Sequence, residues 1–363
     1  MTAGAFALFG GVRHRERARS PMMSILIFAA GAALLIYSAE KLITYLVGAA
    51  RGLAISVFLL AVIFTGIEFD DLVFGVALNL EGMEEVALGV VFGTVVSMVG
   101  VVLALAALLV PCRVEVPKDY LVIFALSPLV LVGLAFVGEV GAGLAILLIA
   151  LFVAFVAYVA VRERTRAVPV FRDSEVMERA GHVRGGTASD DLSHTGDIPI
   201  TSKRHLPGWA LLGLAFLSLV GLIIGAWVMT EGTEGILDEF GIAGTVFGAT
   251  IATLVLTLED IFLTVEPARR GAPLIGIGNV IGSVVFSVTA KLGIIVLAGG
   301  AIEVTDDVFV WHLPALALLI GFSTYALWTG RLRRWHGVVL LLAYVVYWIV
   351  SFVVFGVVPA DDD

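Results

Sequence analysis

Five acidic residues lie in stretches otherwise apolar enough to sit in hydrocarbon. Glu68, Asp70 and Asp71 fall inside "LAVIFTGIEFDDLVFGVALNL", and Glu259 and Asp260 fall inside "TLVLTLEDIFLTV". A carboxylate at the centre of a membrane helix costs about 2.5–3.5 kcal/mol on insertion scales, so five of them mark chemistry that needs negative oxygen in a dry place. Hard cations fit that need, because Ca²⁺ takes about 6–8 oxygen ligands from carboxylates, carbonyls and hydroxyls. Protons fit it too, because crowded carboxylates raise one another's pKa. On a helix Glu68 and Asp71 share a face (i, i+3), as do Thr257 and Asp260. Asp70 and Glu259 stand about 100° away, toward a second ion, a vestibule or a basic partner. The basic candidate is Lys291 in "SVTAKLGIIVLAGG", four residues after Ser287 and so on the same side of its helix.

The elements that must hold these residues are membrane helices. The 363 residues are 60% hydrophobic and only 15% charged, with a mean hydropathy of +1.05. Soluble domains run near half apolar and a quarter charged. Stretches long enough to cross a bilayer recur ten times, near residues 24–48, 53–79, 85–110, 119–138, 141–161, 208–229, 241–264, 273–299, 307–328 and 335–357. The sequence therefore predicts an all-α polytopic membrane protein whose first partner is the lipid bilayer of the cell membrane.

Residues 162–207 form the one long polar segment, rich in Arg, Asp, Ser, Thr and Gly, and read as a linker. They separate a first set of five spans (24–161) from a second (208–357), flanked by an N-terminal tail (1–23) and an acidic C-terminal tail (358–363). Arg and Lys collect on one side of the alternating loops, including the 162–207 segment. Acids collect on the other, in "EGTEGILDEFG", "EVTDDV" and "ADDD". The positive-inside rule puts the central loop in the cytoplasm and both termini outside, with Arg13, Arg15, Arg17 and Arg19 against the trend. The net charge of −9 gives no support to a nucleic-acid partner, and Cys112, the single cysteine, forms no internal disulfide. His14, His182, His194, His205, His312 and His336 show no metal-ligand spacing, and no catalysis or cofactor is expected.

The halves also match each other. Setting Asp71 on Asp260, an offset of 189 residues, sets Gly52 on Gly241, Gly89 on Gly278, Gly93 on Gly282 and Thr94 on Ser283. Each half thus carries a mid-span acidic pair, a turn, and a helix with glycines four apart. With five spans per half, the halves enter the membrane in opposite senses.

This pattern resembles the α-repeats of the cation/Ca²⁺ antiporter superfamily, the sodium/calcium exchangers. "ARRGAPLIGIGNVIGS" with "GIGNVIGSVVFS" is the most specific part, placing Gly278, Asn279, Gly282 and Ser283 on the family's second-helix motif. The Gly-Thr-Ser-x-Pro-Glu motif is altered: Asp71 and Asp260 stand for its Glu, Asp70 and Glu259 for its Pro, Glu68 and Thr257 for its Ser. The second-helix Asn positions hold Val90, Val95 and Met98 in the first half, and Asn279, Val284 and Ser287 in the second. The resemblance implies about ten helices as two inverted five-helix repeats. It also implies exchange of Ca²⁺ against Na⁺ (or H⁺) at a site near the bilayer midplane, with these ions as substrates. Asp71, Asp260 and Glu68 would be the metal-binding carboxylates, Thr94, Thr257, Ser283 and Ser287 would add hydroxyl oxygens, and backbone near Gly66 would add carbonyls. Asp70, Glu259, Lys291 and Met98 would be accessory. An intramembrane aspartyl protease would also need two aspartates, but neither lies in a Gly-x-Gly-Asp motif. A channel gives no reason for inverted halves.

Overall fold

The structure, a computed structural model, describes residues 21–52, 67–165, 208–269, 271, 273–305 and 307–356. The expected tails, most of the central segment, the first part of span two (53–66) with Gly66, and four of the histidines lie outside the described residues. The fold is nearly all helical. Among the described residues seven helices are long and apolar enough to cross a membrane, or eight if one bent pair is a single span. In chain order the helices are α1 (Pro21–Gly52), α2 (Phe69–Leu80), α3 (Glu84–Leu109), α4 (Lys118–Val137), α5 (Ala142–Thr165), α6 (Gly208–Phe240), the bent pair α7 (Gly244–Leu256) and α8 (Leu258–Arg269), α9 (Pro273–Gly299), α10 (Val308–Trp328) and α11 (Arg334–Val354).

Helices α3 and α9 form the centre. Val90, Val91, Val95, Val99, Val280, Ile281 and Val284 are all buried, and both helices widen into a π-turn, at Met98–Leu103 and Ser287–Lys291. Their surroundings are lipid-like, since Phe216, Trp227, Leu318 and Val353 of α6, α10 and α11 stay exposed. Glycine permits a close approach between α3 and α7. A Cβ on Gly93 would fall 2.6 Å from Ala249 Cα and 2.5 Å from Thr253 Oγ1, so only glycine lets these backbones touch.

Helices α1 and α6 pack antiparallel along a small-residue seam in which Ser24, Phe28, Gly31, Leu35 and Ser38 meet Gly235, Gly232, Met229, Gly225 and Gly221. This seam corrects one expectation. The acidic stretch "EGTEGILDEFG" is not a loop; α6 runs on to Phe240, because Gly232, Gly235 and buried Ile236 keep its inner face packed while Glu234, Asp238 and Glu239 stay exposed. Span seven is corrected too: it is broken at Thr257 by a bend of 47° and extends to Arg269. Two short antiparallel bridges close the loops, Cys112–Arg113 with Arg331–Leu332 and Glu139–Val140 with Ile302–Glu303.

Candidate functional site

Both acidic pairs open a helix. The backbone at Glu68 is extended, and α2 follows with Asp70 and Asp71 in its first turn. Helix α8 follows the break at Thr257 with Glu259 and Asp260 in its first turn. First-turn N–H groups lack helical partners and the helix dipole is positive there, so carboxylates are held more cheaply at this position than elsewhere in a span. The two helix starts therefore explain locally how apolar segments tolerate these acids.

The two helix starts face a common cavity of about 40 Å³, several times the roughly 10–15 Å³ that one water requires. Its polar wall is Glu68 and Asp70 from the first half and Glu259, Asp260 and Asn279 from the second, with Ala39 and Ile43 of α1 closing one side. Asp70 is buried although the helical wheel turned it away from Glu68. Both Asp70 and Glu259 line the cavity beside Glu68 and Asp260. Asn279 Nδ2 donates to Asp260 Oδ1 at 3.0 Å.

Beside the cavity lies a second, dry cluster. Lys291 Nζ donates to Asp71 Oδ2 at 2.6 Å, Thr94 Oγ1 at 2.8 Å and Glu68 Oε2 at 3.0 Å. The lysine is fully buried and the two carboxylates nearly so. Thr94 Oγ1 lies 2.5 Å from Asp71 Oδ2 and 2.8 Å from the Val90 carbonyl, so its one proton serves these two acceptors while its lone pair receives the lysine. Ser287 Oγ donates to Glu68 Oε2 at 3.2 Å. Glu68 Oε1 and Ser283 Oγ, both buried, approach each other without completing a hydrogen bond.

The site residues expected from sequence thus divide. Glu68, Asp71, Thr94, Ser287 and Lys291 come together, while Asp70, Glu259 and Asp260 join Glu68 at the cavity. Thr257 is buried at the break and Met98 is buried at the start of a π-turn, and neither lines the cavity. Of the three carboxylates expected to bind metal, Glu68 and Asp71 share Lys291, and Asp260 accepts from Asn279. Among the described residues no three His, Cys, Asp or Glu side chains are arranged to hold a metal ion. Asn279 itself was absent from the expected ligands, although its place in "GIGNVIGS" could have signalled it.

Fold and site define a multi-span membrane protein with a carboxylate-lined cavity between two helix starts. Residues 210–353 match the family of sodium/calcium exchanger proteins. The chain is 32% identical over 142 residues to the sodium/calcium exchanger MaX1 of Methanosarcina acetivorans, covering 38% of this chain and 39% of that one. It spans less than half the length of the first curated relatives it matches. The fold is shared with the sodium-calcium exchanger NCX_Mj, solved with 100 mM Na⁺ and 10 mM Sr²⁺, at a TM-score of 0.54, 17% identity and 90% and 97% coverage of the two chains. It is also shared with the H⁺/Ca²⁺ exchanger CAX, at a TM-score of 0.66, 13% identity and 91% and 86% coverage. The family match is to residues 210–353 of the second half, and the two solved structures share the fold of the chain.

Proposed function

We propose that this chain is a secondary active cation antiporter, exchanging Ca²⁺ for Na⁺ by alternating access at the cavity between α2 and α8. The observation that carries the reading is the cavity wall itself: carboxylates from both halves, each at the start of a broken helix, around a space of ionic size. Hard cations are held by such oxygen sets, and transporters place them where discontinuous helices meet. Glu68, Asp70, Glu259 and Asp260 are the ion ligands in this reading. Asn279 orients Asp260, and Thr257 and Ser283 lie within reach as hydroxyl oxygens once the site closes. Asp71, Thr94 and Ser287 hold the neighbouring lysine cluster.

Ten spans in two inverted halves, 24–161 and 208–357, complete the reading. Helix α4 and the segment leading into α2 would supply the spans beyond the eight. Two recurrences at the 189-residue offset support the inversion: the π-turn at Met98 recurs at Ser287, and the non-helical Glu68 that precedes α2 recurs at Thr257, which precedes α8. The two strand bridges each join one half to the other. The termini lie outside and residues 162–207 lie in the cytoplasm, as the loop charges indicate. A second reading replaces Na⁺ with H⁺: the clustered carboxylates can carry protons, and an H⁺/Ca²⁺ exchanger shares this fold.

The test is uptake of radiolabelled Ca²⁺ into proteoliposomes, driven by an outward Na⁺ gradient in one arm and an outward H⁺ gradient in the other. Uptake in the first arm alone supports the first reading, and uptake in the second alone the other. No gradient-dependent uptake in either arm defeats both.

A further inference from the structure

The two acidic corners differ by one cation that belongs to the protein. Lys291 has three N–H donors, and all three end on oxygens of the first-half corner: Asp71, Thr94 and Glu68, at 2.6, 2.8 and 3.0 Å. None is left for water, since the side chain has no exposure. At the 189-residue offset the matching position is Val102, which is buried and carries no charge. Asp260, the counterpart of Asp71, therefore meets the neutral amide of Asn279 and faces the cavity. Three oxygens around a compact ammonium form a small cation shell, with the cation tethered to α9.

We propose that the Lys291 ammonium is a resident cation: it fills the corner formed by Glu68, Asp71 and Thr94 in place of a transported monovalent ion, so each cycle moves one fewer coupling cation per Ca²⁺. The inference rests on the antiporter reading above. A tethered cation cannot leave with the substrate, so the corner keeps its charge on both sides of the cycle. Coupling ions then reach only the cavity walled by Glu68, Asp70, Glu259 and Asp260. Glu68 belongs to both, one oxygen on the lysine and the other unpartnered, and so links the resident charge to the transported one.

The test uses the full chain in proteoliposomes and reads two quantities: the steepness with which the driving cation activates radiolabelled Ca²⁺ flux, and the charge moved per Ca²⁺, taken from the voltage at which net flux stops. Lys291→Met and Lys291→Gln open the corner. The expected result is a coupling number raised by one, or a new requirement for Na⁺ or K⁺ that wild type lacks. In detergent, the midpoint of thermal unfolding of either variant should rise more than that of wild type when N-methylglucamine chloride is exchanged for NaCl or KCl at equal ionic strength. An unchanged coupling number with no new requirement for Na⁺ or K⁺, in a variant that folds and transports, overturns the proposal and makes the lysine a structural tie. If neither variant folds, Asp71→Asn decides. Keeping the wild-type coupling number supports a corner that binds only the lysine, and a coupling number lowered by one assigns a transported ion to Asp71 and overturns it. Wild type without any gradient-driven Ca²⁺ flux defeats the antiporter reading and this inference together, whereas wild-type flux with unaltered variants defeats this inference alone.

Discussion

Asp71 and Asp260 occupy equivalent places, each in the first turn of a helix, yet their surroundings differ. Asp71 is buried against an ammonium and a hydroxyl; Asp260 is half-buried against an amide, at the wall of a cavity. The two corners have the same backbone plan and opposite electrostatics. A helix start can hold a carboxylate in a span, but what stands across from it decides whether that carboxylate is spent on structure or left for an ion.

The comparison breaks most sharply at Lys291. Removing one partner of a buried, hydrogen-bonded ion pair leaves an uncompensated charge, at about 3–5 kcal/mol. Lys291→Met should lose stability of that order, read by thermal or denaturant unfolding in detergent without Na⁺ or K⁺. A loss below about 1 kcal/mol would mean that water already reaches the corner.

Asp260→Asn probes the other corner. It removes charge with little change of volume, so it should weaken Ca²⁺ by roughly 100-fold, about 2.7 kcal/mol, in titrations of transport, while stability changes far less than in Lys291→Met. Equal Ca²⁺ affinities for Asp260→Asn and wild type would remove Asp260 from the ligands.

Exchanging Asn279 for its counterpart sharpens the comparison further. Asn279→Val gives the second half the residue that Val90 supplies in the first, and takes a hydrogen bond from Asp260. Bonds to charged groups are worth about 1.5–3 kcal/mol, so a drop in Ca²⁺ affinity of about tenfold is expected, without a change in coupling number.

The smallest effect belongs to Thr94→Val. Its hydroxyl assists Asp71 and Lys291, but these two still meet directly at 2.6 Å. A stability loss near 1 kcal/mol is expected, with Ca²⁺ affinity unmoved. A large loss of affinity would place Thr94 among the ion ligands.

Much of the helical plan was legible, for a simple reason. Backbone groups in hydrocarbon must bond within their own segment, so each long apolar run is a helix wherever it packs. The mistakes fell where that rule is silent. The acidic stretch 231–240 looked like a loop by charge, but a seam of glycines against α1 carried the helix through it. The break at Thr257 leaves no mark in hydropathy, since "TLVLTLEDIFL" reads smoothly in composition.

The sequence by itself determined which residues carry the chemistry. Glu68, Asp70, Asp71, Glu259 and Asp260 stand out because a charge in an apolar run is costly, and Lys291 stands out for the same reason. The 189-residue recurrence, too, is a property of the chain alone. Only the tertiary structure decided which of these groups meet. Glu68 and Lys291 lie 223 residues apart, and the contact between them depends on how α2 and α9 pack, not on any local spacing. Helical periodicity gives the face of one helix but not the partner across from it. It turned Asp70 and Glu259 away from the site because it assumed unbroken helices. The starts of α2 and α8 aim both pairs at one cavity, and a lysine from the second half takes Asp71 and one oxygen of Glu68 while Asp70, Glu259 and Asp260 line the open space.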